Sequence, residues 1–387
     1  MDSKKIIIAT GGTGGHIFPA RVLAKKLANK GCDIKIIADK NYQKYSFVAD
    51  NFSYNIISVS QIKKTFKYLL LAGIKISFGV LKSFFILLFF RPQFIIAFGG
   101  YATFPVLCAT ILLRKKIILH EQNAHLGKIN RIFAKFADKI FVTYKNTEGI
   151  KSEFIEKTFV VGNPVRENIA KLAKVKYQLP IEEKFRDSNK NMGYDLLLKS
   201  DFNPSKREIK SFFNILIIGG SGGAKIFSDI LPKAIFNLRS DIKQDLLITQ
   251  QCKTDLVEST IKQYKLFKTN AIIGNFFDDM DEKIKNAHLI ISRAGSSAIS
   301  EFNIARKPLI LIPFANSADN HQLKNAKEIE KKGGAMVIEE KDLTINRISS
   351  LITELIDNSK MLLEMSEKSY RAASKNAAEK MLKKVFN

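Results

Sequence analysis

Short runs of aliphatic and β-branched residues recur along the chain and alternate with longer stretches in which apolar residues return every three or four positions. In the first half the runs are KIIIAT, DIKIIAD, FIIAFGG, KIILHEQ and KIFVTY; in the second they are NILIIGG, LLITQ, AIIGNFF, HLIISRAG and PLILIPF. Continuous apolar runs of this length suit strands buried on both faces, and their alternation with helical patterns predicts βα units around parallel sheets. The order apolar strand, Gly-Gly-Ser/Thr-Gly-Gly, helix occurs twice, in IIIATGGTGGH and ILIIGGSGGAK. Gly11 and Gly219 each open such a loop after a first strand, so each half reads as a Rossmann-like domain of its own.

The periodicity lapses between about Lys171 and Ser211, where charged residues, Asn, Ser and two prolines dominate; this reads as a linker or surface insertion. From Ile345 onward the pattern is helical to the end. A length of 387 residues with 46% apolar and 26% charged content allows two ordinary cores. The net charge of +25 adds an anionic partner to the picture: nucleic acid, an acidic membrane surface or a phosphorylated ligand. Basic residues are spread along the chain and no RNP-like or helix-turn-helix pattern accompanies them, so no nucleic acid is expected. Cys32, Cys108 and Cys252 are far apart and odd in number, which fits a reducing cytoplasm rather than a disulfide framework or zinc site. KKIIIAT runs directly into the glycine loop without a leader, so the expectation is a protein that is not exported.

Three glycine loops follow strands: GGTGG, AFGGYATFP and GGSGGAK. Backbone N–H groups at a helix start favour phosphate, and glycines let it approach. The spacing matches neither G-x-G-x-x-G nor G-K-S/T, which argues against a dinucleotide site and a P-loop. In GGTGGH the strand is expected to end near Thr10 and the helix to begin near Ile17 to Pro19. His16, where loop meets helix, is either a capping or core-satisfied ring or a neutral imidazole able to take a proton from a substrate hydroxyl; spacing leaves both open. In HLIISRAGSSAISEF the segment AGSS can open a helix facing an anion, and Glu301 follows within two turns, as a ribose partner or as a solvated helix glutamate. The loop with Asp319, Asn320, His321 and Gln322 carries amides and hydroxyls suited to a sugar, or is a plain surface loop. No His/Asp/Glu cluster has ligand spacing, so neither metal nor cofactor is expected.

Between Asn51 and His120 there is no Asp or Glu, while nine Lys or Arg occur. The stretch KYLLLAGIKISFGVLKSFFILLFFRP is broken by Lys75 and Lys82, which disfavours a membrane span. As a helix it places Lys67, Lys75 and Lys82 on one side, interleaved with Leu71, Ile74, Phe78 and Phe85. That arrangement suits a helix lying on anionic lipid, or a core helix with snorkelling lysines.

Taken together and in this order, GGTGGHIFPA, FGGYATFP, HEQN, GNPVR, GGSGGAK, SRAGSSAISE and PFANSADNHQLKNA closely resemble the MurG family of peptidoglycan N-acetylglucosaminyltransferases. The resemblance spans nearly the whole chain apart from the insertion and the C-terminal region. It implies an α/β GT-B architecture, two Rossmann-like domains whose parallel sheets face across a cleft. The expected bounds are 1–163 for an acceptor and membrane domain, 164–368 for a donor domain, and 369–387 for a helix packing back on the first. It further implies UDP-GlcNAc as donor, lipid I (undecaprenyl-diphosphate-MurNAc-pentapeptide) as acceptor, and inverting transfer to the MurNAc C4 hydroxyl to give lipid II. The implied site is peripheral, at the cytoplasmic face of the inner membrane, on an anionic membrane surface.

On the donor side the resemblance places Arg166 and Ser221 near the nucleotide, Phe277 by the uracil, Ser296 and Ser297 at the diphosphate, Glu301 at the ribose and Gln322 at the sugar. Thr13, Gly14, Gly15 and Asn123 match positions that reach the donor from the first domain. Gly14, Gly15, Gly99, Gly100 and Tyr101 are the expected acceptor-diphosphate residues, and His16 is the expected general base, with Glu121 next. Two positions depart from the family pattern: Gly222 stands where a glutamine is usual, and Ala298 replaces a hydroxyl residue. The competing enzyme reading is a UDP-GlcNAc 2-epimerase of similar fold, against which the basic apolar segment and GGTGGH speak.

Overall fold

The computed structural model describes residues 3–44, 52–57, 66–180, 212–220 and 224–386, and for 66–72 the backbone alone. Most of the anticipated 171–211 insertion, together with Ser221 and Gly222, lies outside the described residues. The chain divides into two compact units. The first holds Met1–Glu167, Ser296–Ser300 and Ser374–Asn387; the second holds Asn168–Gly295 and Glu301–Ala373. The dividing points at 167 and 373 replace the expected 163 and 368, because the helix Ser359–Ala372 completes the second unit before the chain leaves it.

The first unit is built on seven parallel strands: β1 (Lys5–Ala9), β2 (Asp33–Ala38), β3 (Ser53–Ile56), β4 (Phe94–Ala97), β5 (Lys116–Glu121), β6 (Lys139–Val142) and β7 (Thr158–Val160), in the order β3-β2-β1-β4-β5-β6-β7. Successive side chains of a strand point to opposite faces, which accounts for the unbroken apolar runs. Ile6 and Ile8 of β1 join one core with Ile17, Leu23 and Leu27 of the helix Gly14–Ala28. Ile7 and Ala9 join the other, with Val106, Leu107 and Leu87. The C-terminal helix Ala377–Phe386 seals the first of these cores with Met381, Leu382 and Val385.

The second unit repeats the plan with β8 (Phe213–Ile218), β9 (Leu246–Gln251), β10 (Ala271–Gly274), β11 (Leu289–Ser292), β12 (Leu309–Leu311) and β13 (Ala335–Val337), in the order β10-β9-β8-β11-β12-β13, all parallel. Phe213, Ile215 and Ile217 pack against Phe227, Leu231 and Ile235 of the helix Lys225–Phe236, and Ile348, Ile352 and Leu355 close the same core.

One helix start differs from expectation. The first helix begins at Gly14 rather than near Ile17, with an extended Thr13 at its N-cap position, because glycine tolerates helical dihedrals as well as loop ones. Gly14, Gly15 and His16 are therefore its first three residues, and Pro19 sits inside it.

Candidate functional site

In a doubly wound sheet, ligands settle beyond the carboxyl ends of the strands at the point where the strand order reverses. In the first unit that point lies between β1 and β4, so the loops after these strands are neighbours. They meet backbone to backbone: Gly100, at φ +85°, has no room for a side chain, since a Cβ there would stand 2.7 Å from the Gly11 carbonyl oxygen. Thr13 and Tyr101 are exposed at this end, and the first turn of the Gly14–Ala28 helix carries no acidic residue to oppose an anion at Gly14 and Gly15.

His16 is half-buried in that turn. A Cβ on Gly99 would lie 3.5 Å from its Cδ2, 3.6 Å from its Nε2 and 3.6 Å from Asn130 Nδ2, so the imidazole and the Asn130 amide share the wall beside the second loop. The path of the first loop is fixed from outside it. Asp39, just past β2, accepts from the Gly12 N–H at 2.9 Å, and Asn41 Nδ2 donates to the Gly12 carbonyl at 3.1 Å.

Behind this wall β5 ends in His120 and Glu121, both buried. The Glu121 carboxylate accepts four hydrogen bonds: Oε1 from the Asn123 N–H and Nδ2, each at 3.0 Å, and Oε2 from the Gly127 N–H and Asn130 Nδ2, each at 2.8 Å. Glu121, the second expected base, is thus held by four donors. Its lone pairs shape the 122–130 turn, and the Asn123 side chain, expected at the donor, gives one amide N–H to Glu121. His120 donates through Nε2 to the Gly162 carbonyl at 2.9 Å while Nδ1 accepts from Gln122 at 2.9 Å, a pairing that requires the neutral ring. Burial brings its pKa down to about 4, opposed by the Gly162 bond and reinforced by nearby His16.

In the second unit the order reverses between β8 and β11. Ser221, in the loop after β8, lies outside the described residues. After β11, Ser296, Ser297 and Ala298, which group with the first unit, open the helix Ser296–Ile304, whose first turn has no acidic residue; Glu301, back in the second unit, lies buried farther along it. After β12 the chain passes through Asp319 and Asn320, both in the left-handed region at φ +52° and +54°, before Gln322 enters the helix His321–Glu330. Such backbone persists only where surroundings hold it. Gln322 Oε1 is part of that hold, accepting from the N–H groups of Ala294 at 3.2 Å and Phe314 at 3.0 Å. Phe277 is half-buried in the turn after β10, with Lys283 Nζ 5.7 Å from its ring centre. Arg166, expected with the donor domain, belongs instead to the first unit, its guanidinium 5.2 Å from the ring centre of Phe18; the chain turns away only after Glu167.

The basic apolar segment forms the helix Phe66–Phe90. Gly79, Ser83 and Leu87 face inward, where a Cβ on Gly79 would stand 3.1 Å from Pro105. Ile74, Phe78, Leu81, Phe85, Leu88 and Phe89 are exposed, Phe78 by 69% and Phe89 by 79%. Lys75 is exposed beside them, whereas Lys82 is tied by its ammonium to the Ile56 carbonyl at 2.9 Å; the side chains of Lys67 and Leu71 lie outside the described residues. By length and composition Gly73–Phe90 could cross a bilayer, with mean hydropathy 1.8, but its inner side is already packed on protein.

Asp39, Asn130, Arg293 and Glu340 were missed from sequence. A polar residue at the carboxyl end of a strand was the available signal for Asp39 and Arg293; Asn130 and Glu340 carried none. Among the described residues no three His, Cys, Asp or Glu gather as a metal site.

Family models of the glycosyltransferase family 28 N-terminal and C-terminal domains match residues 6–142 and 214–381. A protein of Bartonella tribocorum named UDP-N-acetylglucosamine–N-acetylmuramyl-(pentapeptide) pyrophosphoryl-undecaprenol N-acetylglucosamine transferase is 34% identical over 91% of this chain and 85% of its own length. A protein of Wolbachia pipientis wMel with the same name is 33% identical over 99% of this chain and 98% of its own. The crystal structure of MurG from Acinetobacter baumannii superposes with a TM-score of 0.72 at 26% identity, covering 99% of both chains. The S. aureus MnaA structure with UDP reaches 0.68 at 15% identity, covering 99% of this chain and 96% of that one, a likeness of fold.

Proposed function

We propose, because the chain belongs to glycosyltransferase family 28 and within it to the MurG family, that it moves GlcNAc from UDP-GlcNAc to the C4 hydroxyl of MurNAc in lipid I. The observation that carries the reading is the cluster at the strand-order reversal of the first unit, where two glycine loops, a helix start and the His16 ring converge. A diphosphate suits Gly14, Gly15 and the Gly99–Tyr101 loop, where helix N–H groups and the positive end of the helix favour an anion. In an inverting transfer the acceptor hydroxyl attacks the anomeric carbon opposite the departing UDP, and its proton must go to a base on the acceptor side. His16 takes that proton from O4 as the new glycosidic bond forms and the bond to UDP breaks.

The donor falls to the carboxyl ends of the strands of the second sheet. Glu301 accepts from the ribose hydroxyls, Phe277 lies by the uracil, and the helix opened by Ser296 and Ser297 offsets the charge of the leaving diphosphate. Gln322, whose oxygen is held by backbone, offers its amide nitrogen to the sugar. The exposed face from Ile74 to Phe89, with Lys75 at its edge, rests on the anionic cytoplasmic surface of the membrane that carries the acceptor, as a peripheral attachment.

Release of UDP from UDP-GlcNAc, followed with and without lipid I, tests the reading. Release that requires lipid I is expected; acceptor-independent release, or formation of the C2 epimer, would replace it with hydrolase or epimerase chemistry.

A further inference from the structure

One side chain of the second unit is bonded to more loops than any ligand role would need. Arg293 follows β11 directly. Its Nη1 donates to the carbonyls of Ile312 at 3.1 Å and Pro313 at 3.3 Å, just past β12. Its Nη2 donates to Glu340 Oε1 at 2.5 Å, past β13. The guanidinium lies 5.0 Å from the ring centre of Phe227, in the first turn after the third glycine loop, and 5.4 Å from that of Phe314. Glu340 uses its other oxygen to accept from the Ala315 N–H at 2.8 Å. Both side chains are largely buried, at 10% and 17% exposed.

The pair therefore joins the exits of β8, β11, β12 and β13. Its strongest grip is on 312–315, the segment that leads into the left-handed Asp319–Asn320 backbone and Gln322. A planar guanidinium with a fixed fork of donors suits this task and a lysine does not. The charge of Arg293 is met by Glu340 inside the protein, so its role is to hold the loop rather than to bind the diphosphate.

We propose that Glu340, acting through Arg293 and the Ala315 N–H, is a positioning residue for the loop that receives the donor sugar, and so sets the preference for a sugar-bearing nucleotide over free UDP. This rests on the donor assignment above. Glu340→Gln keeps the shape and removes the charge that Arg293 needs, leaving a buried cation without its counterion. The expected result is a rise of about tenfold or more in the KM for UDP-GlcNAc, with the dissociation constant of UDP, measured by calorimetry, changed less than about twofold. Arg293→Lys should reproduce the split, and Glu340→Asp should recover part of it. If either variant loses its folded circular dichroism spectrum, the other carries the measurement. Equal weakening of UDP and UDP-GlcNAc would reduce the pair to general scaffolding and overturn the proposal. Tighter UDP binding by Glu340→Gln would overturn it too, by making Arg293 a phosphate ligand restrained by Glu340. An unmodified protein that fails to bind UDP-GlcNAc would instead refute the donor assignment itself.

Discussion

Replacing Glu121 with glutamine separates a scaffolding carboxylate from a catalytic one. The native side chain presents two oxygens to four N–H donors, two at each oxygen. A carboxamide has one oxygen and one NH2 group, so in either orientation two donors are left facing another donor. Hydrogen bonds to a charged acceptor contribute about 1.5–3 kcal/mol each, and the loss of two costs about 3–6 kcal/mol before relaxation. With a urea dependence of about 2 kcal/mol per molar, the unfolding midpoint of the first unit should fall by about 2 M. Far-ultraviolet circular dichroism is a suitable probe, because the chain has no tryptophan, and lipid I turnover measured at low temperature completes the comparison. Turnover should fall along with the fraction folded, and the pH dependence of the surviving activity should match the parent. An unchanged midpoint, combined with a turnover loss above about a thousandfold and the disappearance of the acidic limb of the pH profile, would refute the reasoning and make Glu121 the base.

Three further outcomes follow from the same structure. His16→Ala should lower kcat by about 10²–10⁴ with little change in UDP-GlcNAc affinity; a loss under tenfold, or one confined to donor affinity, would leave His16 as a wall of the site. Lys75→Glu combined with Phe78→Ser and Phe85→Ser should weaken sedimentation with anionic vesicles at least about a hundredfold, since two buried Phe side chains alone supply about 3–6 kcal/mol, while UDP binding stays at the parent value. His120 should impose an acid limit on the first unit. Its ring has a pKa of about 4 folded against 6.5 unfolded, so the unfolded state binds the extra proton between those values and stability falls as pH drops through that window, by about 3 kcal/mol in total; urea midpoints from pH 7 to 4 should decline, and His120→Gln should flatten the decline.

The parallel strands, both glycine-rich switch points and the strand-to-helix turn at Ser296 were legible because they depend on local pattern. A run such as KIIIA is apolar throughout because Ile6 and Ile8 serve one core and Ile7 the other. What could not be read depends on partners distant in the chain. Asp39 reaches Gly12 across 27 residues, and Arg293 reaches Glu340 across 47. The place of Glu121 in HEQN suggests chemistry by type alone, and the four donors arranged around it come from residues that carry no pattern pointing to it. The helix at Gly14 began early for an opposite reason: glycines that suggested loop were compatible with helix. Lys82 falls on the basic side by periodicity, and its exposed side chain also donates to a carbonyl at the end of β3, a contact no local pattern shows.

The central claim, that O4 of MurNAc is the nucleophile and gives up its proton as UDP departs, is tested most directly by measuring UDP release with lipid I and with its 4-deoxy-MurNAc analogue, at equal occupancy of the acceptor site. The account expects stoichiometric UDP and disaccharide with lipid I, and background release with the deoxy compound. UDP release at the same rate with both would contradict it, because the bond to UDP would then break without the hydroxyl that the site is built to receive.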